Sequence, residues 1–135
     1  MRFADTNILL YAVSNDPEER EKTERANEIL ATQDIALSVQ VLQEFFVQAT
    51  RQSRPDPLPA ELALALVESF LRFPVVETTS QLALRAIATR RRFEISYWDA
   101  AILEAGRELG CGVVLSEDLS VTTDYDGIRV ENPFL

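Results

Sequence analysis

The feature that most restricts how this chain can fold is its alternation of short apolar runs with longer helical stretches. The runs are "MRFAD" at the start, "DIALS" near 35, "PVVE" near 75, "CGVVLS" near 113 and "IRVEN" near 130. Each is short, rich in apolar residues and bounded by polar or turn residues, which predicts buried strands. Helix signals fill the gaps. In "NDPEEREKTERANEILA", Asp16 is placed to cap, Pro17 takes the first helical position and Glu19 completes a capping-box spacing. Ser38 is placed to cap "VQVLQEFFVQATRQ". "SRPDPLP" predicts a loop, and "AELALALVESFLRF" after it is a helix apolar over most of its circumference. "TTSQLALRAIATRRR" and the stretch containing Asp99 predict two more helices, and "DYDG" a turn. Strands alternating with helices imply an α/β fold, with a parallel sheet covered by helices on both faces. The 135 residues suit one domain, 1–135, and no repeat or linker divides them.

Residue types that are missing narrow the chemistry. With no histidine, a Ser-His-Asp triad, an HExxH zinc site and an imidazole acid–base pair are all excluded. Lys22 is the only lysine and no glycine loop precedes it, which removes a phosphate-binding P-loop. Cys111 stands alone, so it forms neither an internal disulfide nor a CxxC zinc site. A reducing cytoplasm is the expected compartment. No apolar run approaches the roughly 20 residues of a membrane span, and "ILLYAV" lacks the basic lead-in of a signal peptide. The net charge of −9 argues against a broad electrostatic grip on nucleic acid, though not against a local basic groove. Any catalysis must therefore fall to carboxylates, with a metal ion as the natural helper.

In open parallel sheets, ligands bind beyond the carboxyl ends of the strands. Two predicted strands end in acid there, "RFAD" at Asp5 and "GVVLSED" at Glu117 and Asp118. Asp5 reads either as a helix cap or as a site residue, with Asn7 two positions on to orient it. Asp99 stands three residues after Ser96, a capping-box spacing. On a helix it shares a face with the apolar Ile102, Leu103 and Gly106, while Glu104, Arg107 and Glu108 point elsewhere. An inward acid needs a partner. Glu44, between Gln40 and Gln48 on one side and Val41 and Val47 on the other, is at a boundary open to water or to a cleft. Asp118 reads as turn chemistry or as a site acid, with Ser116 two residues before it. Asp124 and Asp126 read as turn residues around Gly127, and Glu18, Glu19, Glu21, Glu24 and Glu28 as a solvated helix face.

Two unit charges about 4 Å apart repel by ~4 kcal/mol at an effective dielectric near 20. Converging carboxylates therefore need protons or a divalent cation, and oxygen ligands select magnesium or manganese. Such a site activates water and stabilises charge on a phosphoryl group.

The segments "FADTNILLYA", "LQEFF", "SYWDAAILEAGRELGC", "LSEDLS" and the terminal "VENPF", taken together, resemble the PIN-domain family. More narrowly, they resemble its VapC-type toxin ribonucleases of bacterial toxin–antitoxin pairs. The resemblance implies a three-layer α/β/α sandwich with a central, mostly parallel sheet. It also implies an endoribonuclease dependent on Mg2+ or Mn2+, with the family's acids falling on Asp5, Glu44, Asp99 and Asp118. Asp5 and Asp99 would be the main metal ligands. Glu44 and Asp118 would complete the shell and position the attacking water, with Asn7 and Ser116 in support. Glu117 is the alternative to Asp118 as the fourth acid. The resemblance further implies a homodimer silenced by a small antitoxin protein, with RNA as substrate. The competing reading is a PIN-like domain that binds RNA or protein without cutting. A haloacid-dehalogenase-like phosphatase would need an aspartate where Asn7 stands, and a receiver domain would need a lysine better placed than Lys22.

Two surfaces complete the expectations. Arg90, Arg91 and Arg92, with Arg85 before them and Tyr97 and Trp98 after, are either a helix end favouring cations or a phosphate clamp with an aromatic for base stacking. Trp98 reads equally as core. The helix from 60 onward is either sandwiched in the core or buried against another chain, a dimer partner or an antitoxin.

Overall fold

The computed structural model describes every residue from Met1 to Leu135. The elements run β1 (Arg2–Ala4), α1 (Thr6–Ala12), a 3-10 turn (Pro17–Glu19), α2 (Arg20–Ala31), β2 (Ile35–Ser38) and α3 (Val39–Ala49). They continue with α4 (Ala60–Phe70), β3 (Val75–Val76), α5 (Ser80–Phe93), α6 (Tyr97–Glu108), β4 (Val113–Leu115) and β5 (Arg129–Glu131). All five predicted strands are present. The sheet order is β3-β2-β1-β4-β5 and every pairing is parallel, so the sheet is wholly parallel rather than mostly so.

The strands read as unbroken apolar runs because both faces of the sheet are covered. All four residues of β2 are buried. Phe3, the pivot of the register, pairs with Ala36 on one side and Val114 on the other. Around it Ile8, Leu9, Ile29, Phe45 and Leu103 are fully buried. Gly106 of α6 lets that helix lie close on the sheet, since a Cβ there would stand 3.2 Å from Val114 and 3.4 Å from Phe3.

Capping follows the sequence closely. Ser38, Thr79 and Ser96 each accept a hydrogen bond from the backbone N–H three residues on. The entry to α2 differs from expectation. Asp16 caps only the 3-10 turn, and Glu19 does not reach back to it. Ser14 takes that role, accepting from the Asp16 N–H at 3.2 Å and donating to Glu19 at 2.6 Å. Ser14 thereby satisfies both groups that a capping box would have joined.

Glu104 lies off the Asp99 face, as expected, yet it is only 3% exposed. It is held where α5 packs on α6, accepting from the Thr89 hydroxyl at 2.8 Å and from Arg107 Nε at 3.1 Å. Helix α4 is not sandwiched in the core. It buries Ala63 and Phe70, while Leu62, Leu64 and the following Leu71 are about half exposed. No helix is long and apolar enough to cross a membrane.

Candidate active site

The chain leaves β1 for β2 and β3 on one side, then returns to place β4 and β5 on the other. The strand order thus reverses between β1 and β4, and the crevice beyond their carboxyl ends is where this architecture binds ligands. A cleft of about 520 Å³ opens there, and Asp5, Glu44, Asp99 and Asp118 all line it.

Asp5 follows β1 directly and is 5% exposed. The two readings of this residue prove compatible. Its Oδ1 caps α1, accepting from the Thr6 N–H at 2.7 Å, and its Oδ2 accepts from the Ser116 hydroxyl at 2.8 Å. Ser116, fully buried after β4, also accepts from the Asp118 N–H at 3.1 Å. One hydroxyl therefore joins the ends of two strands. The exposed Asp118 carboxylate accepts from Asn7 Nδ2 at 3.2 Å, while Asn7 Oδ1 is buried without a donor. Glu44 of α3 turns to the cleft. It is fixed by Thr6 Oγ1 at 2.7 Å and by Gln40 Nε2 at 2.9 Å. Gln40 also donates to the Trp98 carbonyl at 3.2 Å, at the start of α6 beside Asp99.

The electrostatics tie these acids together. Burial pushes the Asp5 carboxyl up to about 6, against the opposing pull of the Ser116 and Thr6 hydrogen bonds, and Asp118 and Glu44 repel it further. Asp99 is also raised, first by burial, against the Ser96 hydroxyl, and then by repulsion from the same Asp118 and Glu44. Both aspartates thus feel the same two neighbours.

The donors in this cleft are carboxylate, hydroxyl and amide oxygens, a set suited to a hard divalent cation. No three acidic, histidine or cysteine side chains converge into a ready-made cage. The buried, unpaired Asn7 Oδ1 supplies one more acceptor at the site.

A PIN-domain model matches residues 2–122. The chain belongs to the PIN-domain family. Among solved structures, this PIN domain is similar to DNA-bound VapBC from Salmonella typhimurium, at 27% identity and TM-score 0.67, covering 98% of this chain and 97% of that one. It is similar to a toxin–antitoxin complex from Klebsiella pneumoniae, at 20% identity and TM-score 0.70, covering 98% of each chain. A third likeness is to VapC20 of Mycobacterium tuberculosis, described as a sarcin-ricin loop cleaving toxin, at 20% identity and TM-score 0.69 over 87% of this chain and 92% of that one. No curated protein matches significantly by sequence. The expected α/β sandwich is the fold these structures share.

Several expected residues of this PIN domain stand elsewhere. Glu117 does not line the acidic cleft. Its carboxylate accepts from the Tyr11 hydroxyl and pairs with Lys22 Nζ at 3.3 Å, and it lines a neighbouring cavity beside Tyr11 and Ser14 instead. The proposed clamp at Arg90, Arg91 and Arg92 is also away from the cleft. These residues close α5, and Arg92 Nε pairs with Asp126 at 2.9 Å. Trp98 is not core, being 62% exposed on the cleft wall. Thr6, Gln40 and Arg51 are among the lining residues that the sequence reading left unassigned. Gln40 had a legible signal, a helical spacing of four from Glu44.

Proposed function

We propose that this PIN domain is a divalent-cation-dependent endoribonuclease, the toxin of a toxin–antitoxin pair. The observation that carries the reading is the sharing of one cleft by Asp5 and Asp99, from β1 and α6, both repelled by Glu44 and Asp118. A scaffold gains nothing from that repulsion, whereas a cation-binding site requires it.

In this reading Asp5 and Asp99 hold magnesium or manganese directly, and Glu44 and Asp118 act through its hydration waters. When bound, the ion lowers the pKa of water and stabilises charge on the phosphodiester. The chain's own residues hold these acids in place. Ser116 and the Thr6 N–H fix the Asp5 carboxylate, Asn7 fixes Asp118, and Thr6 with Gln40 fixes Glu44. Two features of the relatives support the toxin assignment: a solved neighbour is a toxin–antitoxin complex, and another is described as a sarcin-ricin loop cleaving toxin. The half-exposed leucines of α4 give this chain a surface for an antitoxin or a second copy.

The test is cleavage of RNA with Mg2+ or Mn2+, against EDTA and against Asp99→Asn. Cleavage should be lost in EDTA and fall by about 100-fold or more in the variant. Persistence in EDTA or in the purified variant would defeat the metal mechanism.

A further inference from the structure

We propose that Tyr11 and Lys22 are positioning residues: by holding Glu117 in the cavity beside the cleft, they fix the loop after β4 so that Asp118, the next residue, keeps its carboxylate in the cleft. This rests on the nuclease reading of the cleft and adds two residues that reach the site only through that loop.

Glu117 and Asp118 are adjacent acids, yet Asp118 lines the acidic cleft and Glu117 lines the neighbouring cavity. Residues 117–119 belong to neither helix nor strand, so no backbone ladder decides which acid faces the cleft. Side-chain contacts must decide it. The exposed Asp118 carboxylate takes a single hydrogen bond, from Asn7 at 3.2 Å. Glu117 is held by both oxygens. Its Oε1 accepts from the Tyr11 hydroxyl and its Oε2 from Lys22 Nζ at 3.3 Å. Asn7 and Tyr11 stand four apart on α1, so one face of that helix holds two consecutive residues of the loop.

Lys22 also donates to the Tyr11 hydroxyl at 3.2 Å, which closes a triangle with corners on α1, α2 and the loop. The donors and acceptors agree: the ammonium only donates, the carboxylate only accepts, and the phenol does both. Burial first, and then the bond to Glu117, pushes the Tyr11 hydroxyl above its usual range, so it keeps the proton it donates. The triangle stands on packed rings. Lys22 Nζ lies 4.8 Å from the centroid of Tyr11 and 5.9 Å from that of Phe134, and the two rings meet edge to face. An isolated exposed ion pair is worth little. This one differs because its acid is only 24% exposed and a hydroxyl shares both ends. With the Tyr11 hold gone, Asn7 alone would direct the loop, and small displacements of a site group are costly to its chemistry.

The test starts with the full chain free of metal, using NMR of the Asn7 side-chain amide, assigned by its loss in Asn7→Ala. Tyr11→Phe removes only the hydroxyl, and Lys22→Met keeps a stem on the rings. Both should move the Asn7 resonance toward its position in Asp118→Ala, whereas Lys22→Arg should leave it near its original place. The second arm is a double-mutant cycle in Mn2+ affinity, measured by calorimetry. Tyr11→Phe should weaken Mn2+ binding by about 3- to 10-fold, and should add nothing once Asp118 is already replaced by alanine. Circular dichroism melts check that the variants fold. An Asn7 amide unmoved by Tyr11→Phe and Lys22→Met would overturn the proposal, as would an equal Tyr11→Phe loss with and without the Asp118 carboxylate. Glu117→Gln weakening Mn2+ as much as Asp118→Ala would also overturn it, since Glu117 would then be a ligand itself. The two readings fail separately. A chain that shows the coupling but never cuts RNA defeats only the nuclease, and one that cuts RNA with an unmoved Asn7 amide defeats only this inference. If Mn2+ does not bind, the cation reading fails and the Asn7 amide alone decides the positioning role.

Discussion

The hydroxyl of Ser116 donates a 2.8 Å hydrogen bond to Oδ2 of Asp5, from a residue 111 positions away. This bond opposes the burial and repulsion that leave Asp5 protonated up to about pH 6. Raising a carboxyl from 3.8 to about 6 corresponds to ~3 kcal/mol. The sign follows from proton binding. The folded chain holds the Asp5 proton more tightly than the unfolded chain, so this contribution favours folding at low pH. It is lost as pH rises from about 4 to about 6. In metal-free protein, Asp5→Asn should therefore be more stable than the unmutated chain at pH 7.5, by up to ~3 kcal/mol. At pH 4 it should hold little or no advantage. Urea denaturation at the two pH values measures this, and a variant less stable at pH 7.5 would refute it.

A divalent cation should relieve the same strain. At neutral pH, Mg2+ or Mn2+ at 100 times its dissociation constant should stabilise the fold by ~2.7 kcal/mol, read as a rise in melting temperature. The rise should shrink as pH falls through about 6, where a proton competes for Asp5. A melting temperature indifferent to the ion at pH 7.5 would count against direct ligation.

Gln40 should act as a positioning residue. Its amide nitrogen links Glu44 on α3 to the Trp98 carbonyl on α6. Gln40→Leu should lower Mn2+ affinity and RNA cleavage by about tenfold, the worth of a hydrogen bond to a charged group. Its melting temperature should barely move, because Gln40 is partly exposed. Gln40→Asn, too short for both contacts, should not restore the affinity. Mn2+ titration by calorimetry separates this from a general loss of structure.

The buried Glu104 makes the opposite prediction, for stability without activity. Arg107 pairs with it and also donates to the carbonyls of Tyr125 and Asp126. Removing the guanidinium in Arg107→Met leaves a buried carboxylate short of a partner and should cost about 3 kcal/mol. The pair Glu104→Leu with Arg107→Met should recover much of that loss. RNA cleavage per folded molecule should not change, since neither residue lines the cleft.

Much of this molecule was legible in one dimension. The five strands, the serine caps at Ser38 and Ser96, and the inward face of Asp99 follow from local periodicity and hydrogen-bonding chemistry, which act within a few residues. Asp5, Glu44, Asp99 and Asp118 stood out as candidates because they fall at strand ends, at a helix start and on a boundary face, and because the family resemblance put them in register. What local pattern does not show is where distant partners compete. Lys22 and Tyr11 draw Glu117 away from the cleft, and Asp126 takes Arg92.

The sequence by itself determined an alternating α/β chain that lacks histidine and offers carboxylates at its strand ends. Tertiary structure alone decided which acids share a cleft, that Ser116 restrains Asp5, and that Gln40 joins two helices. The physical reason is range. Backbone preference and capping act between near neighbours, whereas burial, repulsion and ion pairing depend on distances that exist only once the sheet has closed.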